Sequence, residues 1–270
     1  MKRKGARLGQ HFLTGAWAAR ALARAAGIRR SDAVLEIGPG EGALTRELLT
    51  ISDHVVAIEK DSTLVNRLRS IFSAEIARGA LTLIEGDVRD IEPEKLHLEQ
   101  GNYIVAANIP YYLTGEIIRM FLSSETQPHT MALLVQKEVA DRIVARDGKE
   151  SILSLSIKAY GAPRIVAKVS RGNFSPPPSV DSAIITIGNI SRDFFTGFNE
   201  EHFFRILKTG FSSKRKLLSG NLKRLAPTAA IAAAMHACEL PERVRAEDIP
   251  LEKWKCLVMH VPEITSRVKA

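Results

Sequence analysis

The tetrapeptide Asn108-Ile109-Pro110-Tyr111 comes directly after the apolar run Tyr103-Ile104-Val105-Ala106-Ala107. It sets an amide, a rigid turn and an aromatic ring at the end of a predicted strand. An amine conjugated to a ring or a carbonyl is a poor nucleophile, because its lone pair is delocalised. The Asn108 side-chain oxygen and the Ile109 carbonyl can each accept one of its N–H bonds and turn the lone pair out of conjugation. Pro110 donates no hydrogen bond and fixes the turn, while Tyr111 offers a face on which a planar group can stack. This combination points to methyl transfer onto a planar amine. Phe174, in Phe174-Ser175-Pro176-Pro177-Pro178-Ser179-Val180-Asp181-Ser182, offers a second face. Three consecutive prolines stiffen that loop in an extended form, and a base stacked on an aromatic ring gains ~1–3 kcal/mol. The same segment also reads as a proline-guarded edge strand with Phe174 in the core.

A methyl donor needs a cradle of its own. Glu36-Ile37-Gly38-Pro39-Gly40-Glu41-Gly42 leaves a predicted strand and leads into a helix. The glycines permit positive φ and let a ligand lie against bare backbone at a helix N-terminus. Gly38-x-Gly40-x-x-Ala43 also fits a dinucleotide fingerprint, so by itself the turn admits a nicotinamide cofactor or S-adenosylmethionine. Glu59, at the end of the second strand, stands where an acid accepts hydrogen bonds from ribose hydroxyls. Asp87, after the third strand, is placed to accept one from an adenine amine. Either acid also serves as a helix N-cap or a solvated strand end. The amine-binding tetrapeptide, at the carboxyl end of the fourth strand where ligands of open α/β sheets bind, decides for S-adenosylmethionine.

The sequence shows no Ser-His-Asp set, paired carboxylates or metal cluster in a matching position. His11, His54 and His97 are scattered, and Cys238 and Cys256 fit neither CxxC nor zinc spacing. The two cysteines are expected to be small apolar fillers of a helical region in a reducing compartment, without a disulfide.

The elements that must position these residues are legible as alternation. Val34–Ile37, His54–Ile58, Leu81–Ile84, Tyr103–Ala107 and Met131–Val135 are short β-rich runs separated by stretches of 3.6-residue period. That is the pattern of a parallel α/β sheet. Leu44, Leu48 and Leu49 share a face of the first crossover helix, and Leu64, Val65, Leu68 and Phe72 one of the second. After a helical stretch over Ile152–Tyr160, Arg164–Val169 and Ala183–Ile187 close the sheet as a hairpin, giving seven strands. Beyond about residue 190 only helical stripes remain: Phe203, Phe204 and Leu207, then Ala229–Ala237, then Leu251, Trp254, Leu257 and Val258. The expectation is a Rossmann-like α/β methyltransferase sheet over residues 1–190, with a small helical domain over 191–270, joined at Gly188-Asn189-Ile190-Ser191.

Charge is segregated along the 270 residues. The chain is +8 overall, yet residues 1–31 hold eight Lys or Arg and no acid, and residues 201–270 hold thirteen against seven acids. The middle is left net acidic. Basic flanks around an acidic centre suggest a polyanionic partner, nucleic acid first. RNA phosphates would be held by Lys2, Arg3, Lys4 and Arg7 and by Lys214, Arg215 and Lys216. No run approaches the ~18 apolar residues of a membrane span. Gln10-His11-Phe12-Leu13 falls too early to leave room for a cleaved leader, so the expected location is the cytoplasm, with no membrane partner.

Taken with Gln136-Lys137-Glu138-Val139, these motifs resemble the ribosomal RNA adenine N6-dimethyltransferases nearly end to end. Phe211-Ser212-Ser213-Lys214-Arg215-Lys216-Leu217 and Arg245-Ala246-Glu247 are similar to the small-subunit, kasugamycin-sensitivity branch. The resemblance implies two successive methyl transfers from S-adenosylmethionine onto each of two adjacent adenosines near the 3′ end of 16S ribosomal RNA. The setting it implies is a partly assembled small subunit; a monomer is the default expectation for the chain, independent of the resemblance. It carries cofactor contacts onto His11, Leu13, Gly38, Glu59, Asp87 and Asn108, with a backbone contact at His11, where relatives have Asn. Four alternatives stay open. They are large-subunit methylation conferring macrolide resistance, methylation of DNA or a protein amide, a non-catalytic assembly factor of the same fold, and a nicotinamide enzyme resting on the glycine turn alone.

Overall fold

The computed structural model describes residues 11–262. They form two compact units, one running to Asp141 and resuming over Gly161–Ser191, the other made of Arg142–Tyr160 and the chain from Arg192 onward.

In chain order the first unit begins with β1 (Phe12–Leu13), α1 (Ala16–Ala25), β2 (Ala33–Ile37), α2 (Ala43–Leu48), β3 (Val55–Glu59), α3 (Ser62–Ile71), α4 (Ser73–Ala77) and β4 (Leu81–Glu85). Next come β5 (Tyr103–Asn108), α5 (Thr114–Ser123), β6 (Thr130–Gln136) and α6 (Lys137–Val144), the last of which runs past Asp141. The seven-stranded sheet has the order β4-β3-β2-β5-β6-β9-β7; β9 (Ser182–Gly188) is antiparallel to both its neighbours, β6 and β7 (Ala162–Val169), and the other six strands run in one direction. Val34, Leu35, Tyr103 through Ala107 and Met131 through Val135 are buried, as strands covered on both faces must be. Leu44, Leu48, Val65, Leu68 and Phe72 are buried in the crossovers, on the helix faces that the 3.6-residue period selects.

Strand order reverses between β2 and β5. The crossovers β2-α2-β3-α3-β4 step one way from β2, whereas β5 and β6 step the other way, which opens a crevice at the carboxyl ends of β2 and β5. Ile37 pairs with Ala107 across this boundary, so Gly38 and Asn108 leave the sheet side by side. A second, two-stranded pairing sits beside it: β1 runs antiparallel to β8 (Phe174–Ser175), with Leu13 opposite Phe174.

The second unit holds α7 (Ile152–Lys158), α8 (Glu200–Gly210), α9 (Leu218–Leu222), α10 (Thr228–Ala237) and α11 (Leu251–His260). Its centre is Trp254, fully buried, stacked on Phe211 at 5.6 Å and donating through Nε1 to the Ile249 carbonyl. Gly210 is required there, because a Cβ would lie 2.5 Å from the indole. Residues 142–160 were expected to accompany the sheet and instead group with these helices. The Glu150 amide donates to the Glu247 carbonyl (2.8 Å), Lys149 pairs with Asp248, and Tyr160 packs against Phe195 and Phe204.

Cys238 and Cys256 form a disulfide, which corrects the expectation of two separate thiols. α10 and α11 pack together and bring the two Cα atoms to 5.7 Å, within disulfide reach. An 18-residue spacing in sequence carries no trace of that proximity. Among the described residues no helix is long and apolar enough to cross a membrane.

Candidate functional site

A cleft of about 300 Å³ opens where β2 and β5 end. Its wall brings together His11, Leu13, Gly38, Gly40, Glu59, Asp87, Asn108, Ile109, Pro110 and Tyr111. Residues far apart in sequence meet there because the parallel strands all present their carboxyl ends to one edge of the sheet.

The glycine turn is shaped by its neighbours. Gly38 and Gly40 have φ of +66° and +61°, and a Cβ on Gly40 would lie 2.9 Å from the Phe12 ring. Glu59 is buried at the end of β3 and accepts from the Gly40 amide and the Asp61 amide, both at 3.0 Å. Each Glu59 oxygen keeps a further lone pair for a ligand hydroxyl. Asp87 caps a short 3₁₀ turn and is gripped by Arg89 (2.9 and 2.5 Å) and Lys60 (2.9 Å). Arg89 foremost, with Lys60 adding, holds its carboxyl far below the usual range.

Asn108 is oriented by the first strand. Its Nδ2 donates to the His11 carbonyl at 3.0 Å, which fixes the flip of the amide and leaves Oδ1 as the acceptor. The Ile109 carbonyl takes no hydrogen bond from the described residues, so two acceptors stand at adjacent positions. His11 is anchored in turn: Nδ1 donates to the Pro176 carbonyl (2.8 Å), and the ring stacks on Tyr111 with centroids 5.7 Å apart. Tyr111 is half-buried, and its hydroxyl is paired with Ser182 Oγ at 2.7 Å. Burial raises that hydroxyl above its ordinary pKa, against the pull of Ser182.

Phe174 stands apart from this wall. Only 4% exposed, it packs with Leu13, Leu22 and Val169 in the core, where the β1–β8 pairing draws it inward. The structure thus shows the edge-strand arrangement for Phe174 rather than a ring presented by the proline loop. The aromatic ring that is presented is Tyr112, 69% exposed at the mouth of the cleft on the 3₁₀ turn Tyr111–Leu113. Periodicity gave no signal for it, because a single turn has no period.

Glu36 is the other residue that sequence reasoning did not single out. It is fully buried in the cleft wall, flanked in register by Ala57 and Ala106, and neither carboxyl oxygen has a hydrogen-bond partner among the described residues. Burial pushes its carboxyl up to about 8; Thr45 on α2 draws it down and the charge of Glu59 adds to the rise. Lys214, Arg215 and Lys216 lie in the second unit, exposed on the loop between α8 and α9. Asn221 Nδ2 clamps that loop through the Gly210 (2.6 Å) and Ser213 (3.1 Å) carbonyls. Lys2, Arg3, Lys4 and Arg7 lie outside the described residues.

Seven strands with one antiparallel hairpin, a glycine turn ending β2, an acid ending β3 and an amide ending β5 define a Rossmann-like methyltransferase. The chain belongs to the ribosomal RNA adenine dimethylase family, whose sequence model matches residues 1–260. It is 37% identical over 259 residues to a ribosomal RNA small subunit methyltransferase A of Dehalococcoides mccartyi strain CBDB1, covering 95% of this chain and 87% of that one. To the protein of the same name in Synechococcus elongatus it is 36% identical, over 92% and 91%. Among solved structures, a dimethyladenosine transferase from Plasmodium falciparum superposes with a TM-score of 0.80 at 26% identity, over 92% and 96%. The 23S ribosomal RNA methyltransferase ErmE does so at 0.77 and 26%, over 93% and 99%.

Proposed function

We propose that this chain dimethylates N6 of two adjacent adenosines near the 3′ end of small-subunit ribosomal RNA, using S-adenosylmethionine and acting as a cytoplasmic monomer on a partly assembled subunit. The observation that carries the reading is Asn108, held by the His11 carbonyl so that Oδ1 is left to accept beside the Ile109 carbonyl. Two acceptors at that spacing suit the two N–H bonds of an exocyclic amine. S-adenosylmethionine supplies an electrophilic methyl group carried on a sulfonium. The residues present fit it: glycines at positive φ admit it against backbone, Glu59 retains acceptor capacity for ribose hydroxyls, and the unpaired Glu36 carboxyl suits a cation. No ionised base is required at the amine, since the proton is lost after the lone pair has been alkylated. The small-subunit substrate is supported by relatives at 36–37% identity, against 26% for the large-subunit enzyme. The deciding experiment is transfer of labelled methyl groups to immature small subunits, with large-subunit RNA, DNA and a glutamine peptide in parallel. Label on any of the latter and none on the small subunit would refute the assignment.

Within this reading, Tyr112 takes the stacking role that Phe174 is too deeply buried to fill in this structure. Tyr112→Ala is expected to raise KM for RNA roughly tenfold, the lower part of the range for one stacked base, with Tyr112→Phe restoring it. Unchanged KM in the alanine variant would remove Tyr112 from the base site. The clamped loop of the second unit supplies phosphate contacts. Lys214→Ala with Arg215→Ala should weaken RNA binding and flatten the slope of log affinity against log salt by about one to two charges. A filter-binding series from low to high salt reads this directly, and an unaltered slope excludes the loop from the RNA interface.

A further inference from the structure

We propose that Cys238, Cys256 and His260 form a binding site for a zinc-class divalent cation once the disulfide is reduced, so that a metal ion ties α10 to α11 where thiols are kept reduced. The inference concerns the helical unit alone and is independent of the methylation reading.

The third member of the site is a histidine on the same helix as the second cysteine. Cys256 and His260 stand four residues apart on α11 and so share one face of it. Cys238 closes the C-terminus of α10, and the packing of α10 on α11 brings it against them. His260 Nδ1 lies 3.6 Å from Cys256 Sγ and 3.9 Å from Cys238 Sγ. Zinc bonds sulfur at about 2.3 Å and imidazole nitrogen at about 2.0–2.1 Å, and tetrahedral angles then set sulfur and nitrogen about 3.6 Å apart. Both measured separations fall near that value. Only the two sulfurs must part, to about 3.8 Å, by rotation about χ1.

Cys238 is buried, Cys256 half-buried and His260 exposed, so the site opens to solvent on the histidine side. That gives an ion a way in and leaves its fourth position to water. Two thiolates and an imidazole are a donor set that suits zinc, whereas magnesium and calcium take oxygen.

The cytoplasm proposed above keeps thiols reduced, and few disulfides persist there. A cellular dithiol breaks the Cys238–Cys256 S–S bond, passing two electrons and two protons to the pair and leaving as its own disulfide. The cation then replaces one proton on each thiol, and both protons go to buffer. His260 gives up the 2.9 Å bond from Nδ1 to the Cys256 carbonyl, keeps its ring proton on Nε2 and offers the Nδ1 lone pair. Disulfide and metal are thus alternative ties at one point, chosen by the redox state of the compartment.

Full-length protein, reduced with a phosphine and freed of it without air, should take up one Co²⁺ per chain. Thiolate-to-cobalt charge-transfer absorption and the d–d bands of tetrahedral cobalt report the ligands. Zn²⁺ should displace the cobalt, abolish both signals and raise the urea midpoint of the reduced protein but not of the oxidised one. His260→Ala, at an exposed position, should still form the disulfide yet bind Zn²⁺ about a hundredfold more weakly, since even an outer partner of a ligand is worth about 10–100-fold. Cys256→Ser should lose the tetrahedral spectrum. Reduced wild type without charge-transfer absorption overturns the proposal, as does undiminished affinity in either variant. A disulfide that the phosphine cannot open in the folded protein overturns it too. Should Cys256→Ser fail to fold, the wild type alone decides: cobalt bands that survive reoxidation of the disulfide refute the site. Each of these failures leaves the methylation reading standing.

Discussion

Replacing Asn108 by alanine is expected to lower methyl transfer to small subunits by about two orders of magnitude or more, the scale seen when one preorganised polar group aimed at a reacting centre is removed. The side chain has two separable tasks. Through Nδ2 it holds the His11 carbonyl at 3.0 Å, and through Oδ1 it presents an acceptor. Losing the first is worth only about 0.5–1.5 kcal/mol of local order around β1. Losing the second leaves the amine lone pair in conjugation and falls on kcat. Asn108→Asp separates the two, since it keeps an acceptor oxygen while turning the donor to the His11 carbonyl into a repulsive contact. The aspartate variant should therefore retain more turnover per bound RNA than the alanine variant, with a larger loss of thermal stability. Near-normal turnover in Asn108→Ala would refute the amine-polarising role, whatever its effect on folding.

Much of this site was legible in the sequence because it sits where strands end. Tyr103 to Ala107 is an apolar run, and Val34 to Ile37 is one broken only by Glu36; both announce buried parallel strands, and the residue after each must emerge at the ligand-binding edge of the sheet. That logic brought Gly38, Glu59, Asp87 and Asn108 to one cleft. It could not reach features that depend on contacts between elements. β1 and β8 are two residues each, too short for any periodicity, yet their pairing is what buries Phe174. Three consecutive prolines argue for a stiff loop, but stiffness does not say which way a ring points. Cys238 and Cys256 meet only because α10 and α11 pack together, and residues 142–160 join the helical unit through the backbone bond from Glu150 to Glu247. Glu36 was hidden by its own motif: written beside three glycines it reads as part of the turn, and its isolation shows only once Ala57 and Ala106 are seen beside it.

The buried Glu36 carboxyl also bears on the stability of the cofactor-free protein. Glu36 ionises at the ordinary carboxylate value when unfolded and at about 8 when folded. Between roughly pH 4.5 and 8 the folded state thus holds a proton that the unfolded state has released. Stability falls with rising pH wherever the native state binds more protons, so this window should cost the protein on the order of a few kcal/mol from its acid end to its alkaline end. Asp87 works in the opposite direction, because its depressed pKa gives stability that is lost only on acidification below the ordinary carboxylate value, outside this window. Glu36→Gln keeps the shape and removes the titration. Its buried amide carries a cost of its own, but one that does not vary with pH. The variant should therefore gain on the wild type steadily as pH rises from about 5 to 8, by a few kcal/mol in urea unfolding, without any change in slope against denaturant. Parallel stability curves for the two proteins across the window would show that Glu36 is ionised in the folded chain and paired with a group the geometry does not provide.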